Sequence, residues 1–197
     1  MKTLSENIDP YYYRDRLTMP KLIANSGQDE FQQPDDTHYW WDDMPEPKHF
    51  MMMPNTDHSC ALGFDQLLPA IGTWYSYLVR GIQIPKVDWT ISNSTGDITA
   101  TITGGTVKVK KATIWSAKTC GSESPSKYRR DFRLLNLDSP CACGIAQEDG
   151  SCLNREASRW TSVEIEPNED GTYVAHADTD PDGRWTAFFI GECDTYV

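Results

Sequence analysis

A chain of 197 residues is long enough for one large domain or two small ones, and its formal net charge of −11 repels phosphate backbones and anionic bilayers. Nucleic acid and acidic membrane surfaces are therefore not expected partners. Hydrophobic content is a modest 39%, but 7 Trp, 9 Tyr and 6 Phe supply large burial units for a core. No apolar run approaches the ~20 residues of a membrane-spanning helix.

Residues 1–20 read as a lead-in. Asp9 can cap, and Pro10 can open, a helical turn through Tyr11-Tyr-Tyr-Arg14 that Met19-Pro20 ends. The chain then enters Lys21-Leu-Ile-Ala-Asn25, a brief apolar run closed by Ser26-Gly27, as in a buried parallel strand. Asp29 falls on the loop past its carboxyl end, where functional groups gather in open α/β sheets. Pro34 and the aspartates after it suit a helix start. Tyr39, Trp40 and Trp41 are adjacent and cannot share one helix face, so packing on the sheet and on neighbouring loops is preferred to substrate stacking. His49-Phe-Met-Met-Met53 is a second strand-like run, closed by Pro54-Asn55, and His58 follows.

From Ser59 the period changes. Leu62, Leu67, Leu68, Ile71, Trp74, Tyr75 and Leu78 recur at helical spacing, with Arg80-Gly81 as the stop. Pro69 inside the run is expected to kink or divide the helix. After Ile82-Gln-Ile-Pro85 the helical period disappears. Short alternating runs take over near residues 89–92, 98–102, 107–110, 112–115, 132–135, 163–166, 173–176 and 185–190, separated by turns such as Gly104-Gly105 and Glu169-Asp-Gly171. The expected architecture is α/β: a partial parallel sheet with helices over residues 1–84, then an antiparallel β-sandwich over 85–197. Residues 138–160 read as a Cys-rich insertion rather than a strand.

Six cysteines stand at 60, 120, 141, 143, 152 and 193. Five lie in the C-terminal half, and with the sequon Asn93-Ser-Thr95 they favour an oxidising compartment. The Met1-Lys-Thr-Leu-Ser-Glu-Asn start has no signal-peptide core, so secretion would require a leader outside this sequence. Cys141-x-Cys143 followed by Cys152 lacks the paired spacing of a zinc site. Two disulfides among Cys120, Cys141, Cys143 and Cys152 are expected, with Cys60 and Cys193 paired to each other or free.

Asp29 and His58 are the candidate catalytic residues. A buried carboxylate that orients a histidine, which in turn takes a proton from a serine, makes a hydrolase triad, and the order acid then histidine is that of α/β-hydrolases. The nucleophile is missing. No G-x-S-x-G occurs, Ser5 has no strand before it, Ser26 lies on the acid's own turn, and Ser59 sits beside the histidine without an elbow. Glu30, Asp35, Asp36 and Asp57 are expected to cap or face solvent, and His38 and His49 to be structural. A metal could be imagined on Asp29, Asp57 and His58, or on Asp178, Asp180 and Asp182. The second group lacks the distal Glu of a calcium loop and contains Pro181, so an acidic turn is the expectation. No metal and no cofactor are expected.

Further stretches carry a resemblance. They are Asp9-Pro-Tyr-Tyr-Tyr-Arg-Asp-Arg-Leu-Thr-Met-Pro-Lys21, Asn25-Ser-Gly-Gln-Asp-Glu-Phe31, Pro34-Asp-Asp-Thr-His-Tyr-Trp-Trp-Asp42, Pro54-Asn-Thr-Asp-His-Ser59, Arg130-Asp-Phe-Arg133 and Trp185-Thr-Ala-Phe-Phe189. With them the chain resembles the C-terminal part of the PhoPQ-activated pathogenicity-related family. The resemblance implies an α/β-hydrolase-like domain akin to the prolyl oligopeptidase and dipeptidyl peptidase group, followed by a small β domain. It implies a secreted serine-hydrolase-like protein of peptidase or esterase type, acting on a peptide or small ester. The alternative it implies is a secreted protein that regulates proliferation through a cell-surface protein, using the same scaffold without catalysis. The front half of the family, with the nucleophile, is absent from this sequence, so the polypeptide is expected to be inactive by itself.

Overall fold

Two parallel strands, β1 (Lys21–Ser26) and β2 (Lys48–Met53), position everything that follows. They pair in register from Lys21 opposite Lys48 to Ser26 opposite Met53, so both carboxyl ends finish at one level. The computed structural model describes residues 2–120, 130–136, 144–155 and 158–194. Before β1 come a short helix, α1 (Lys2–Ile8), and a 3-10 turn over Pro10–Arg16. Asp9 caps that turn as expected, its Oδ1 accepting the Tyr11 N–H at 3.0 Å. Asp36–Tyr39 forms a second 3-10 turn. Trp41 then packs edge-on against Phe50 of β2 and touches Trp89, while Tyr39 stays exposed.

Helix α2 (Phe64–Arg80) follows β2 and lies against β1. It ends where the sequence says it should, on Gly81 at φ 66°, whose N–H reaches the Tyr77 and Leu78 carbonyls. Pro69 does not divide it. A proline at the sixth position forfeits one bond, to the Asp65 carbonyl in the first turn, and the rest of the ladder closes beyond it.

The remaining chain forms small antiparallel sheets. Strands β3 (Lys86–Ile91), β4 (Ile98–Thr103) and β10 (Tyr173–Ala175) make one, with β4 central. Strands β5 (Val109–Lys118), β9 (Thr161–Ile165) and β11 (Thr186–Asp194) make another, with β5 central. The separate runs at 107–110 and 112–115 thus merge in one ten-residue strand. Three two-residue strands, β6 (Leu135–Asn136), β7 (Ile145–Ala146) and β8 (Cys152–Leu153), make a third sheet. Two expectations are corrected here. The Cys-rich insertion holds short strands. The run from Phe132 is mostly not strand, because the Leu134 N–H goes to the Gln28 carbonyl (2.9 Å) and the Leu134 carbonyl accepts the Asn154 N–H (2.7 Å).

The core of this half is Ala117, Phe132 and Trp160, flanked by Trp115, Ala187 and Phe189. The Trp160 ring centroid stands 6.1 Å from that of Phe132 and 5.4 Å from that of Phe189. Cys120 and Cys152 are each disulfide-bonded, and Cys60 is a free thiol. The expected connectivity through Cys141 and Cys143 lies outside the described residues.

Candidate active site

The parallel register decides where the two candidate residues go. Beyond the strand ends, the Gly27 N–H donates to the Met53 carbonyl (2.8 Å) and the Gln28 N–H to the Thr56 carbonyl (3.0 Å). The two turns are therefore zipped together before either functional side chain is reached. Asp29 and His58 then meet: Nδ1 of His58 lies 3.0 Å from both carboxylate oxygens of Asp29. A carboxylate only accepts, so Nδ1 carries a proton, and in the neutral ring that tautomer leaves the lone pair on Nε2.

Their surroundings are unequal. Asp29 is 4% exposed, and its Oδ1 also accepts the Phe31 N–H at 2.7 Å and the Gln32 N–H at 2.8 Å. Three donors on one oxygen fix the orientation of the carboxylate. The His58 side chain is 51% exposed, in a T-shaped contact with Phe31 whose ring centroids stand 4.7 Å apart. The His58 backbone N–H is held by Glu30 Oε2 at 2.9 Å, so Glu30, expected to cap or face solvent, caps a backbone N–H and joins the Asp29 loop to the His58 loop.

The other candidates separate from this pair. The Ser59 hydroxyl donates to both Asp57 oxygens (3.0 and 2.8 Å). Ser26 is buried, its hydroxyl 3.6 Å from the Cys60 sulfur. Asp36 caps the Gln33 N–H (3.0 Å), Asp35 pairs with Arg130 (3.1 Å), and His38 bonds the Asp35 carbonyl. Asp180 is taken by Lys118 (2.7 Å) and Arg184 (3.0 Å), which hold its carboxyl well below the usual range, Lys118 foremost. Among the described residues no group of three acidic, histidine or cysteine side chains could hold a metal ion. A cleft of about 170 Å³ between Pro34, Phe132 and Trp185 is lined by neither Asp29 nor His58.

Sequence reasoning missed the residues that brace the pair. Trp160 donates its indole N–H to the Gly27 carbonyl at 3.0 Å on the acid turn. Its backbone N–H and carbonyl pair with the Asn55 side-chain amide at 2.8 and 2.9 Å on the base turn. Asn55 adopts φ 57°, a left-handed conformation that Asn after Pro54 foreshadows. Gln28 is fully buried and donates to the Ser158 carbonyl at 3.1 Å. These bonds span more than a hundred residues, and no local pattern announces them.

Two parallel strands with a helix, carrying an acid and a histidine at their carboxyl edge, make a mixed α/β arrangement. The chain belongs to the PhoPQ-activated pathogenicity-related family, whose model matches residues 1–133. It is similar to autocrine proliferation repressor protein A of Dictyostelium discoideum, 30% identical over 197 residues, covering 96% of this chain and 36% of that protein. The chain thus spans about a third of the length of that relative. A shorter likeness, 30% over 77 residues, joins it to small ribosomal subunit protein bS6 of Methylocella silvestris, covering 39% of this chain and 53% of that protein. No solved structure matches the chain.

Proposed function

We propose that this chain supplies the acid and the base of a serine-hydrolase-like site of peptidase or esterase type, in a secreted protein. His58 is the general base through Nε2, and Asp29 holds its tautomer and stabilises the imidazolium. The nucleophile comes from a part of the family protein outside these residues, and the 197-residue polypeptide is inactive alone. One observation carries the reading: a half-exposed imidazole whose Nδ1 is bound 3.0 Å from a buried carboxylate. The two larger antiparallel sheets, which touch through β4, β10 and β11, are read as the leaves of a small sandwich that braces the site.

The test is a chimera in which this chain replaces the matched stretch of the Dictyostelium relative, probed with a fluorophosphonate. The expected result is covalent labelling of one serine outside this chain, reduced at least ~100-fold by His58→Ala or Asp29→Ala. No labelling by the isolated chain is expected. A folded chimera that fails to label, or labels equally with His58→Ala, overturns the hydrolase reading. The name of the Dictyostelium relative favours a second reading, a proliferation-regulating scaffold that binds a cell-surface protein without catalysis. That reading gains if proliferation control by the chimera survives His58→Ala.

A further inference from the structure

The turn between β3 and β4 carries Asn93-Ser-Thr95, the one Asn-x-Ser/Thr sequon in the sequence, and the hydrolase reading makes no use of it. A sequon serves as an acceptor where its asparagine stands clear of the fold, so the structure decides what the motif alone leaves open. Asn93, Ser94 and Thr95 are all exposed. The turn is also built without the asparagine side chain. The Ser92 N–H donates to the Asp97 carbonyl (2.9 Å) and the Gly96 N–H to the Ser92 carbonyl (2.8 Å), with Gly96 at φ 78°. The Thr95 N–H reaches the Ser92 hydroxyl oxygen (3.2 Å), and the Thr95 hydroxyl donates to Asp97 Oδ2 (2.7 Å). Asn55, Asn136 and Asn168 each commit their side-chain nitrogen to a hydrogen bond within the fold. The Asn93 nitrogen makes no such bond among the described residues.

We infer that Asn93 is an N-glycosylation site. The donor is an oligosaccharide carried on a polyisoprenyl diphosphate. A bond forms between Asn93 Nδ2 and the anomeric carbon of the first sugar. The bond from that carbon to the diphosphate oxygen breaks, the lipid diphosphate leaves with the electron pair, and one amide proton is lost to base. The position matches a role as well. β3 is an edge strand paired with β4 alone, and its Trp89 and Ile91 are 48% and 60% exposed. An open edge with apolar side chains invites pairing with another chain. Asn93 lies two residues past Ile91, where a bulky, hydrated glycan shields that edge. The inference rests on the secreted setting proposed above, which the disulfide-bonded Cys120 and Cys152 support, and not on the Asp29–His58 pair.

The test is expression of the full chain behind a cleavable secretion leader in Dictyostelium cells. Protein from the medium is mapped by peptide mass spectrometry before and after treatment with a peptide-N-glycosidase. The expected result is a sugar-bearing Asn93 peptide that the enzyme converts to the bare peptide with aspartate at that position. Asn93→Gln and Thr95→Ala should each abolish the modification, and Thr95→Ser, which keeps the hydroxyl, should retain it. On warming, the enzyme-treated chain should aggregate sooner than the untreated one by light scattering. A secreted chain with Cys120 and Cys152 oxidised and Asn93 bare overturns the proposal and leaves the secretion reading intact. So does a glycan that persists in Thr95→Ala, because the sequon then does not direct it. A chain retained in the cell with both cysteines as thiols removes the secretion reading and the site with it. Equal aggregation with and without the glycan removes the shielding of β3. The hydrolase reading is decided separately, by the fluorophosphonate.

Discussion

At the scale of single residues, the Asp29–His58 pair is held by hydrogen bonds that can be removed one at a time. Asp29→Ala leaves two backbone N–H groups and an imidazole N–H without their acceptor, which costs about 1–3 kcal/mol in urea unfolding. The same variant should abolish the preference for the Nδ1–H tautomer of His58, as read by ¹⁵N chemical shifts of labelled histidine. An unchanged tautomer would contradict the geometry.

A second acid–histidine pair behaves differently. His176 places Nδ1 2.5 Å from Asp97 and Nε2 3.3 Å from Asp178, so both nitrogens donate when the ring is charged. The Asp97 hydrogen bond first, then Asp178, raises the His176 pKa above its ordinary 6.5, and His176 in turn lowers Asp97 below 3.8. The raised histidine contributes stability fully below about pH 6.5 and loses it as pH rises through the raised value. The lowered aspartate contributes above about pH 4 and loses it as pH falls. The stability lost in His176→Gln should therefore be largest between about pH 4 and 6.5 and shrink toward pH 9. A difference that is flat with pH would contradict the clamp.

At the scale of elements, the acid and base turns depend on a residue from the β-rich half. Trp160 is buried in that core and touches both turns by hydrogen bonds to Gly27 and Asn55. Trp160→Ala should cost about 3–5 kcal/mol. It should also speed amide exchange at Gly27 and Gln28, which bond to Met53 and Thr56 next to the Gly27 carbonyl that the indole holds. Gly27→Ala tests the same seam from the other side. A Cβ there would stand 2.9 Å from the Trp160 indole nitrogen, so the substitution should cost about 1–3 kcal/mol, though a lone glycine-to-alanine change in an open loop costs nothing. Equal exchange rates in wild type and Trp160→Ala would show that the turns stand without the brace.

At the scale of the whole molecule, the chain is two structural styles joined by their site. A short parallel sheet carries Asp29 and His58 on the turns at its carboxyl end, and Trp160 of the antiparallel half bonds those turns. Thiol chemistry reports on the intact molecule. Native alkylation should modify Cys60 and spare Cys120 and Cys152 until a reductant is added, as peptide mass mapping would show. Alkylation of all three without reductant would remove the support the cysteines give to secretion.

Local patterns carried much of this protein. The apolar runs at 21–25 and 49–53 read as strands because each is short and ends in a turn residue, and both are strands. Asp9 with Pro10, and Arg80 with Gly81, marked a turn start and a helix stop by chemistry that acts within a few residues. Asp29 and His58 were visible as an acid and a histidine that each follow a strand. Their meeting was decided by the tertiary structure, since only the register that sets Ser26 opposite Met53 brings side chains 29 positions apart to 3.0 Å. Trp160 offered no local sign, because its partners on the two turns lie more than a hundred residues away. Helical period named the apolar positions of α2 but not their neighbours. Periodicity fixes which residues share a face, and only packing decides which face is covered; here Tyr77 is buried while Leu68 and Tyr75 stay exposed.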